Sequence, residues 1–548
     1  MSTLLQPRSS LSSADRTSFS SRLVRWLSAH QRFCLTLTVS IFSLCAIYEA
    51  IVRPVWFDEF FTYSISRLSS LHDMLKAMPA DGHPPLQYLV THLSLRLFGF
   101  SELSLRLPEI LAYIVSGLVL WQIVRKHGTP VQALFAVTVL MGATTRSYLL
   151  NGPSVRGLAY TARPYQLVIL FTCLAFLCWQ RATLTEGTRR LLPLAGLSLS
   201  LAGAILSHHY GLIQIGAFLA AGEITRVVRR RRIDWSLLAA ACLGLLALIV
   251  TLPLIAQTRN LLDKPVLQST NMWAKPGFAE LYTWPAMVPW LIFLPLTVLA
   301  CLPARRTAEP ASTPELPPVP RHEIAAAIAL ALLPPAEILL AIATTGYYFP
   351  RYAVGGCLGL ALLFTWTWPR VGYLRSVAQP ALAWLTVAYL ALTTIWLADS
   401  QLTHPLQRDQ ARVAGASPLL VHAPTGLPIV AASAYDYFSQ WWYAPPAAQH
   451  RLLYLTDLPY ALQTPRFMAE LSLVSDRAWL PFPTVDYSPF LAQHSRFLVL
   501  CTGEEQDNWL TPRLLHSGWH LTLLDRSGGD SLYEAESPAA SDPSGVNP

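Results

Sequence analysis

The chain has 548 residues, of which 53% are hydrophobic and only 13% charged, with a mean hydropathy of +0.38. That balance excludes an ordinary soluble domain and makes the bilayer the expected solvent. The net charge of +8 does not point to nucleic acid, because the Arg residues fall in short clusters between apolar runs and read as topology signals. Seventeen Trp and twenty-one Tyr suit helix ends at a membrane interface. The eight Cys, at 34, 45, 173, 178, 242, 301, 357 and 501, lie mostly inside apolar runs without metal-ligand spacing.

In chain order, residues 1–32 read as a retained cytoplasmic tail, Ser- and Arg-rich and disordered up to about Ser28. About eleven apolar runs then follow, each long enough to cross hydrocarbon of ~30 Å. They lie near 33–51, 107–124, 130–149, 164–182, 190–207, 212–227, 235–257, 283–303, 323–345, 352–368 and 380–398. A shorter run, 85–100, carries Gln87, His92 and Arg96, with Leu86, Leu89, Val90, Leu93 and Leu97 at helical spacing. It reads as an interfacial helix rather than a span.

Cytoplasmic loops hold excess Lys and Arg. With 85–100 uncrossed, Arg125-Lys126, Arg189-Arg190, Arg229 to Arg232, Arg305-Arg306 and Arg370 all fall inside. The opposite face then receives a large loop, 52–106, the turn 151–163, His208 to Gly211, residues 258–282 and the turn 346–351. Beyond 399 the composition changes. Short β-like runs (Leu427 to Ala432, Arg451 to Leu455, Phe497 to Cys501, Trp519 to Leu524) and a helical Tyr435 to Tyr443 predict a soluble α/β domain over 399–536, with Cys501 as its lone cysteine. Residues 537–548 are Ser-, Pro- and Gly-rich and expected disordered. The fold class is therefore a polytopic α-helical membrane protein with a C-terminal soluble α/β domain.

The first exterior loop opens Trp56-Phe57-Asp58-Glu59-Phe60-Phe61-Thr62-Tyr63, two adjacent carboxylates among aromatics at the exit of a span. Carboxylates beside hydrocarbon must be solvated, paired or used, so they mark a candidate site. The plainer alternative is an acidic pair favouring a helix N-terminus. Further on, Asp81-Gly82-His83-Pro84-Pro85 sets His83 at the mouth of a helix begun by two prolines, facing either a phosphate or a structural hydrogen-bond partner. The loop ends in Leu97-Phe98-Gly99 and Arg106-Leu107-Pro108.

This order of Asp-Glu, His-Pro-Pro-Leu, Leu-Phe-Gly and Arg-Leu-Pro resembles the protein mannosyltransferase and lipid A aminoarabinose transferase group of GT-C glycosyltransferases, over roughly 33–368. Thr161-Ala162-Arg163-Pro164-Tyr165 is similar to that group's Glu-Ala-Arg-Pro-Tyr turn, His208-His209-Tyr210-Gly211 to its Thr-His-Tyr turn, and Phe349-Pro350-Arg351-Tyr352 to an Arg-Tyr element. At Thr161 the group's Glu is missing, so a second acid is absent or displaced, and Glu109 enters a span.

The resemblance implies inverting transfer of a sugar from a polyprenyl-phosphate carrier to a glycan, lipid or protein acceptor on the extracytoplasmic face of the cell membrane. Asp58 is expected to act as general base or to position the acceptor, with Glu59 supporting it or binding a metal, although the sequence requires none. Arg163, Arg351, Arg106 and His83 are expected to meet the donor phosphate, while Tyr63, Tyr165, His209 and Tyr210 line the sugar or acceptor pocket. Snorkelling to lipid headgroups is the alternative use of the two turn arginines. Residues 258–282, with Lys264, Trp273 and Lys275, read as a lid or a passive connector. No nucleotide-type Gly-rich phosphate loop is present. Two other functions stay open: a flippase for lipid-linked sugars, with Glu223 and Glu337 as its intramembrane acids, and a scaffold working through its outer domain.

Overall fold

The computed structural model describes residues 19–145, 157–262, 318–343, 350–370, 375–403, 415–461, 470, 473–474, 477–502 and 508–538. Through residue 403 these are helical. Helix α1 (Phe19–Ala29) precedes α2 (Gln31–Val52), so part of the expected disordered tail is ordered. Leu23, Val24 and Leu27 share one face of α1 and pack with Leu134, Phe364 and Leu382.

Three short helices follow: α3 (Phe57–Ser66), α4 (Leu71–Asp81) and α5 (Pro85–Phe98). The bundle continues with α6 (Glu102–Arg125), α7 (Pro130–Thr145), α8 (Tyr165–Leu184), α9 (Leu191–Ser207), α10 (Tyr210–Arg230), α11 (Trp235–Leu245) and α12 (Leu248–Leu262). It is completed by α13 (Arg321–Ala331), α14 (Leu333–Ala343), α15 (Gly355–Thr367) and α16 (Arg375–Thr403).

Among the described residues six helices are long and apolar enough to cross a membrane, or eight spans if two bent pairs each count once. The expected single run 235–257 is such a pair, α11 and α12 at 44°. Helices α13 and α14 meet at 52°, where Pro334-Pro335 interrupt the backbone ladder. The expected span 130–149 is helical as α7 up to Thr145, where the described residues end, and 352–368 appears as α15, both buried almost all round as central elements are. The expected span 283–303 lies outside the described residues, as does the connection 258–282 from residue 263 onward. The bundle packs around Phe176, Trp179, Phe218 and Trp366, all fully buried. By these helices the chain is a multi-pass membrane protein.

Residues 415–538 build a six-stranded sheet of β1 (Ile429–Ala431), β2 (Leu452–Thr456), β3 (Thr484–Asp486), β4 (Arg496–Cys501), β5 (His520–Ser527) and β6 (Asp530–Glu536), in the order β3-β2-β1-β4-β6-β5. The first four are parallel, and β5–β6 is an antiparallel hairpin on the edge. Alternation sends Val430, Leu455 and Val499 to one face and Ile429, Leu452, Leu498 and Leu500 to the other. The second face continues into α17 (Ala434–Tyr443) and then into the helical part, since Phe57, Phe60 and Phe61 of α3 belong to the same core. Phe438 stacks on Phe57 with ring centres 5.1 Å apart and planes 10° from parallel.

Helix α3 is thus held from two sides. Phe57, Phe60, Phe61 and Ile65 are buried along one stripe, with the three phenylalanines in the core shared with the sheet domain, while Glu59, Thr62 and Ser66 are buried along another. Phe438→Ala should cost about 3–5 kcal/mol by opening a cavity in this joint. The expected outcome is a lowered thermal midpoint of the detergent-solubilised chain, with Phe438→Leu falling between it and the parent.

Candidate active site

Pro54 stops α2 from continuing into α3 and forces extended backbone at Arg53. Helix α3 restarts at Trp56, whose N–H donates to Glu59 Oε2 at 2.9 Å, the reach-back half of a capping box. The Glu59 carboxylate also accepts Arg106 Nε (2.8 Å) and Nη2 (2.6 Å) and the backbone N–H of Ala162 (2.7 Å). Arg106 spends its remaining donors on the carbonyls of Ala50, Arg53 and Pro54, at 2.7 to 2.9 Å.

All five guanidinium N–H groups are therefore used within the protein, and both side chains are essentially sealed, Glu59 at 0% and Arg106 at 1% exposure. This corrects two expectations. Arg106 has no donor left for a phosphate, and Glu59 has no acceptor left for a metal or substrate. Together they form a lock joining α2, α3, α6 and the 161–163 turn.

Asp58, one residue earlier, points elsewhere. Its carboxylate faces Arg351 Nη2 at 3.4 Å, and each side chain keeps 19% of its surface exposed. Its carbonyl accepts Arg163 Nη1 at 3.1 Å. Arg351 lies over the rings of Trp56 and Tyr165 at 5.6 and 5.8 Å, within cation–π range. Arg163 is buried and carries a forked contact to Asp81, at 3.0 and 2.8 Å, while Tyr88 donates to the same carboxylate at 2.6 Å. Asp81 is the last residue of α4, and Gly82 turns the chain there with φ +73°, a left-handed conformation that suits glycine. Asp81, for which no role was expected, is thus the carboxylate that pairs with Arg163.

His83 Nδ1 lies 3.0 Å from the Asp81 carbonyl, and Arg163 Nη2 is 3.3 Å from the ring. The tautomer satisfying both has Nδ1–H donating and Nε2 accepting from the guanidinium. Burial, and next the charge of Arg163, push the His83 pKa well below that of an ordinary imidazole. Burial does the same to His208 and holds His209 at about 4.

Of the adjacent histidines, His208 is the one inside the ring cluster, 5.1 Å from His83, 5.8 Å from Tyr165 and 5.2 Å from Tyr352. His209 contacts the Gly82 carbonyl through Nε2 at 3.2 Å. Tyr210 stacks on Tyr352 at 4.7 Å. Neither His208 nor Tyr352 was singled out from the sequence, because two successive histidines at a helix start carry no mark of which one turns inward.

Asp58, Arg163, Arg351, His83, Tyr165, His209 and Tyr210 therefore form one connected set. Tyr63 does not join it. Five residues after Asp58 it sits about 140° around α3 and packs on Phe100 and Trp442 instead. Glu109 is also structural, its Oε2 accepting the N–H groups of Gln166 and Leu167 (2.8 and 3.2 Å) and so capping α8. Among the described residues the Arg163 Nε and the Tyr165 hydroxyl are buried without a polar partner, and no group of three His, Cys, Asp or Glu is placed to hold a metal ion.

Residues 82–256 match the sequence model of the family described as dolichyl-phosphate-mannose-protein mannosyltransferase. No curated protein sequence matches the chain. Two crystal structures of ArnT from Cupriavidus metallidurans, one apo and one bound to undecaprenyl phosphate, each superpose with TM-score 0.56 at 14% identity, covering 91% of this chain and 97% of that one. Arabinosyltransferase EmbB from Mycobacterium smegmatis gives TM-score 0.39 at 14% identity over 90% of this chain and 45% of that one, too loose a superposition to support any conclusion. By these comparisons the chain is a multi-pass membrane protein with a fold similar to that of ArnT, and its segment 82–256 is similar to the protein mannosyltransferase family.

Proposed function

We propose that the protein transfers a glycosyl group from a polyprenyl-phosphate carrier to a hydroxyl or amine of a glycan, lipid or protein acceptor on the extracytoplasmic face of the cell membrane. In this reading the N-terminus is cytoplasmic and the sheet domain extracytoplasmic, as the Arg clusters require. The carrying observation is the meeting of Asp58, Arg163 and Arg351, from three distant segments, at a point where Asp58 and Arg351 keep part of their surface open. The undecaprenyl phosphate bound by the structurally similar ArnT supports a polyprenyl-phosphate carrier here.

The chemistry is a single displacement. The acceptor O–H or N–H proton passes to the Asp58 carboxylate while the acceptor atom bonds to the anomeric carbon. The bond from that carbon to the phosphate oxygen breaks, its electron pair leaves on the phosphate, and the anomeric configuration inverts. Arg351 and the unpartnered Nε of Arg163 balance the departing charge, and the Tyr165 hydroxyl is a further donor within the cluster. His83, neutral and bonded to Arg163, orients that guanidinium rather than transferring a proton.

Asp58→Asn should lower transfer in proteoliposomes by on the order of 10²–10⁴ while polyprenyl-phosphate binding persists. Wild-type rates in that variant would remove Asp58 as base and with it this mechanism. Arg351→Gln should lower transfer by about 10²–10³ and weaken binding of the carrier phosphate. The lipid-linked sugar to assay is identified by mass analysis of envelope glycans, glycolipids and glycoproteins from a deletion strain.

A pH dependence follows from the histidines. Below about pH 6.5 the unfolded chain takes up protons that folded His83, His208 and His209 refuse. Stability is therefore lost as pH falls, by about 1.4 kcal/mol per pH unit for each imidazole held neutral. For His209 the loss ends near pH 4, where the folded form also protonates. Thermal midpoints should drop between pH 7 and pH 5, and His209→Gln should flatten that slope.

A further inference from the structure

Helix α5 is inside out. Its buried face is polar, with Gln87 at 1%, Thr91 at 0% and Ser94 at 6% exposure, while Leu89, Leu93, Leu97 and Phe98 are exposed at 38, 57, 66 and 65%. Gln87 donates to Thr91 at 3.2 Å and Ser94 to the Ser104 carbonyl at 2.6 Å, while the Gln87 Oε1 is buried without a partner among the described residues. In water this arrangement would expose a row of leucines and bury amides and hydroxyls; against hydrocarbon it costs nothing. At 14 residues α5 is too short to span, so it lies along the bilayer with its leucine stripe in the acyl region.

A pocket of about 230 Å³ opens beside it, between the C-terminal parts of α3 and α5. Its wall includes Arg67, Arg96, His92, Ser69, Tyr63 and Phe100, and no acidic residue lines it. Arg67 gives one N–H to the Trp479 carbonyl at 3.2 Å, and no carboxylate pairs with either guanidinium among the described residues. His92 is oriented by its Nδ1 contact to the Ser66 carbonyl at 2.8 Å. Two cationic forks and an imidazole thus meet at the end of a lipid-facing helix, on a different side of α3 from Asp58.

We propose that this pocket binds the phosphate headgroup of an anionic phospholipid in the leaflet that α5 contacts, with the acyl chains lying along Leu89, Leu93 and Leu97. Charge complementarity selects a phosphate, and the inside-out helix selects one carried by a lipid. Tyr63, expected to line the sugar pocket, is here a wall of this second site. The inference does not rest on the transferase reading, because it uses none of the groups assigned to that reaction.

The test is native mass spectrometry of the full-length chain released from nanodiscs of mixed phosphatidylglycerol and phosphatidylcholine. The parent should retain phosphatidylglycerol preferentially. Arg67→Gln with Arg96→Gln should reduce that preference by about tenfold for each guanidinium, with an unchanged thermal midpoint, and Arg67→Lys with Arg96→Lys should lie between. Equal retention in the Gln variant would overturn the proposal. So would displacement of the lipid by millimolar inorganic phosphate, which would make this a site for free anions, or a lipid-free dimer closed through the leucines of α5. Transfer activity enters none of these readouts, so failure here and failure of the transferase reading are separate results.

Discussion

The buried pair of Glu59 and Arg106 is the constraint on which the site depends. Taking two charges out of water is unfavourable unless every remaining donor and acceptor is matched, and here all five N–H groups of Arg106 are bonded within the protein. The same carboxylate takes the Trp56 and Ala162 N–H groups, so the pair fixes the bend after α2, the start of α6 and the turn that carries Arg163. Asp58 is the neighbouring residue on that immobilised helix start. From there its carboxylate reaches Arg351 Nη2 at 3.4 Å.

The sheet domain supplies the other half of this restraint. Tyr443 accepts the Val55 N–H at 3.0 Å and donates to Glu102 at 2.8 Å, tying the residues just before α3 to the first turn of α6 through a hydroxyl from the sheet domain. The aromatic joint around Phe438 covers the rest of the apolar stripe. Helix α3 therefore works as a splint between two bodies, polar stripe toward the bundle and apolar stripe toward the sheet, with Asp58 and Tyr63 left on the arcs between them.

Much of this was legible beforehand, and the limits have physical reasons. Long apolar runs have few uses besides crossing a bilayer, so the helical bundle could be read directly, whereas the bend between α11 and α12 leaves no mark in the apolar pattern and that between α13 and α14 only its Pro334-Pro335. Strands β1, β2, β4 and β5 announced themselves by apolar runs. Strand β3 is three residues long, and β6, between β4 and β5, carries the partly exposed Glu534 and Glu536, so neither shows the usual pattern. Motif order grouped Asp58, Arg163, Arg351 and His83, and the fold sets them near one another. It could not tell which of two adjacent acids turns inward to Arg106, or that Asp81 pairs with Arg163, because both depend on contacts between segments remote in sequence.

The separations along the chain imply an order of assembly. Glu59 and Arg106 are 47 residues apart and can pair as soon as α6 has been made, and Ala162 follows 103 residues after Glu59. Tyr443 comes 388 residues after Val55, when most of the chain has already left the ribosome. Throughout that interval Phe57, Phe60 and Phe61 have no sheet domain to cover them. A nascent chain of this design carries helix α3 bent but uncovered for most of its synthesis, with three aromatics exposed until the sheet domain arrives.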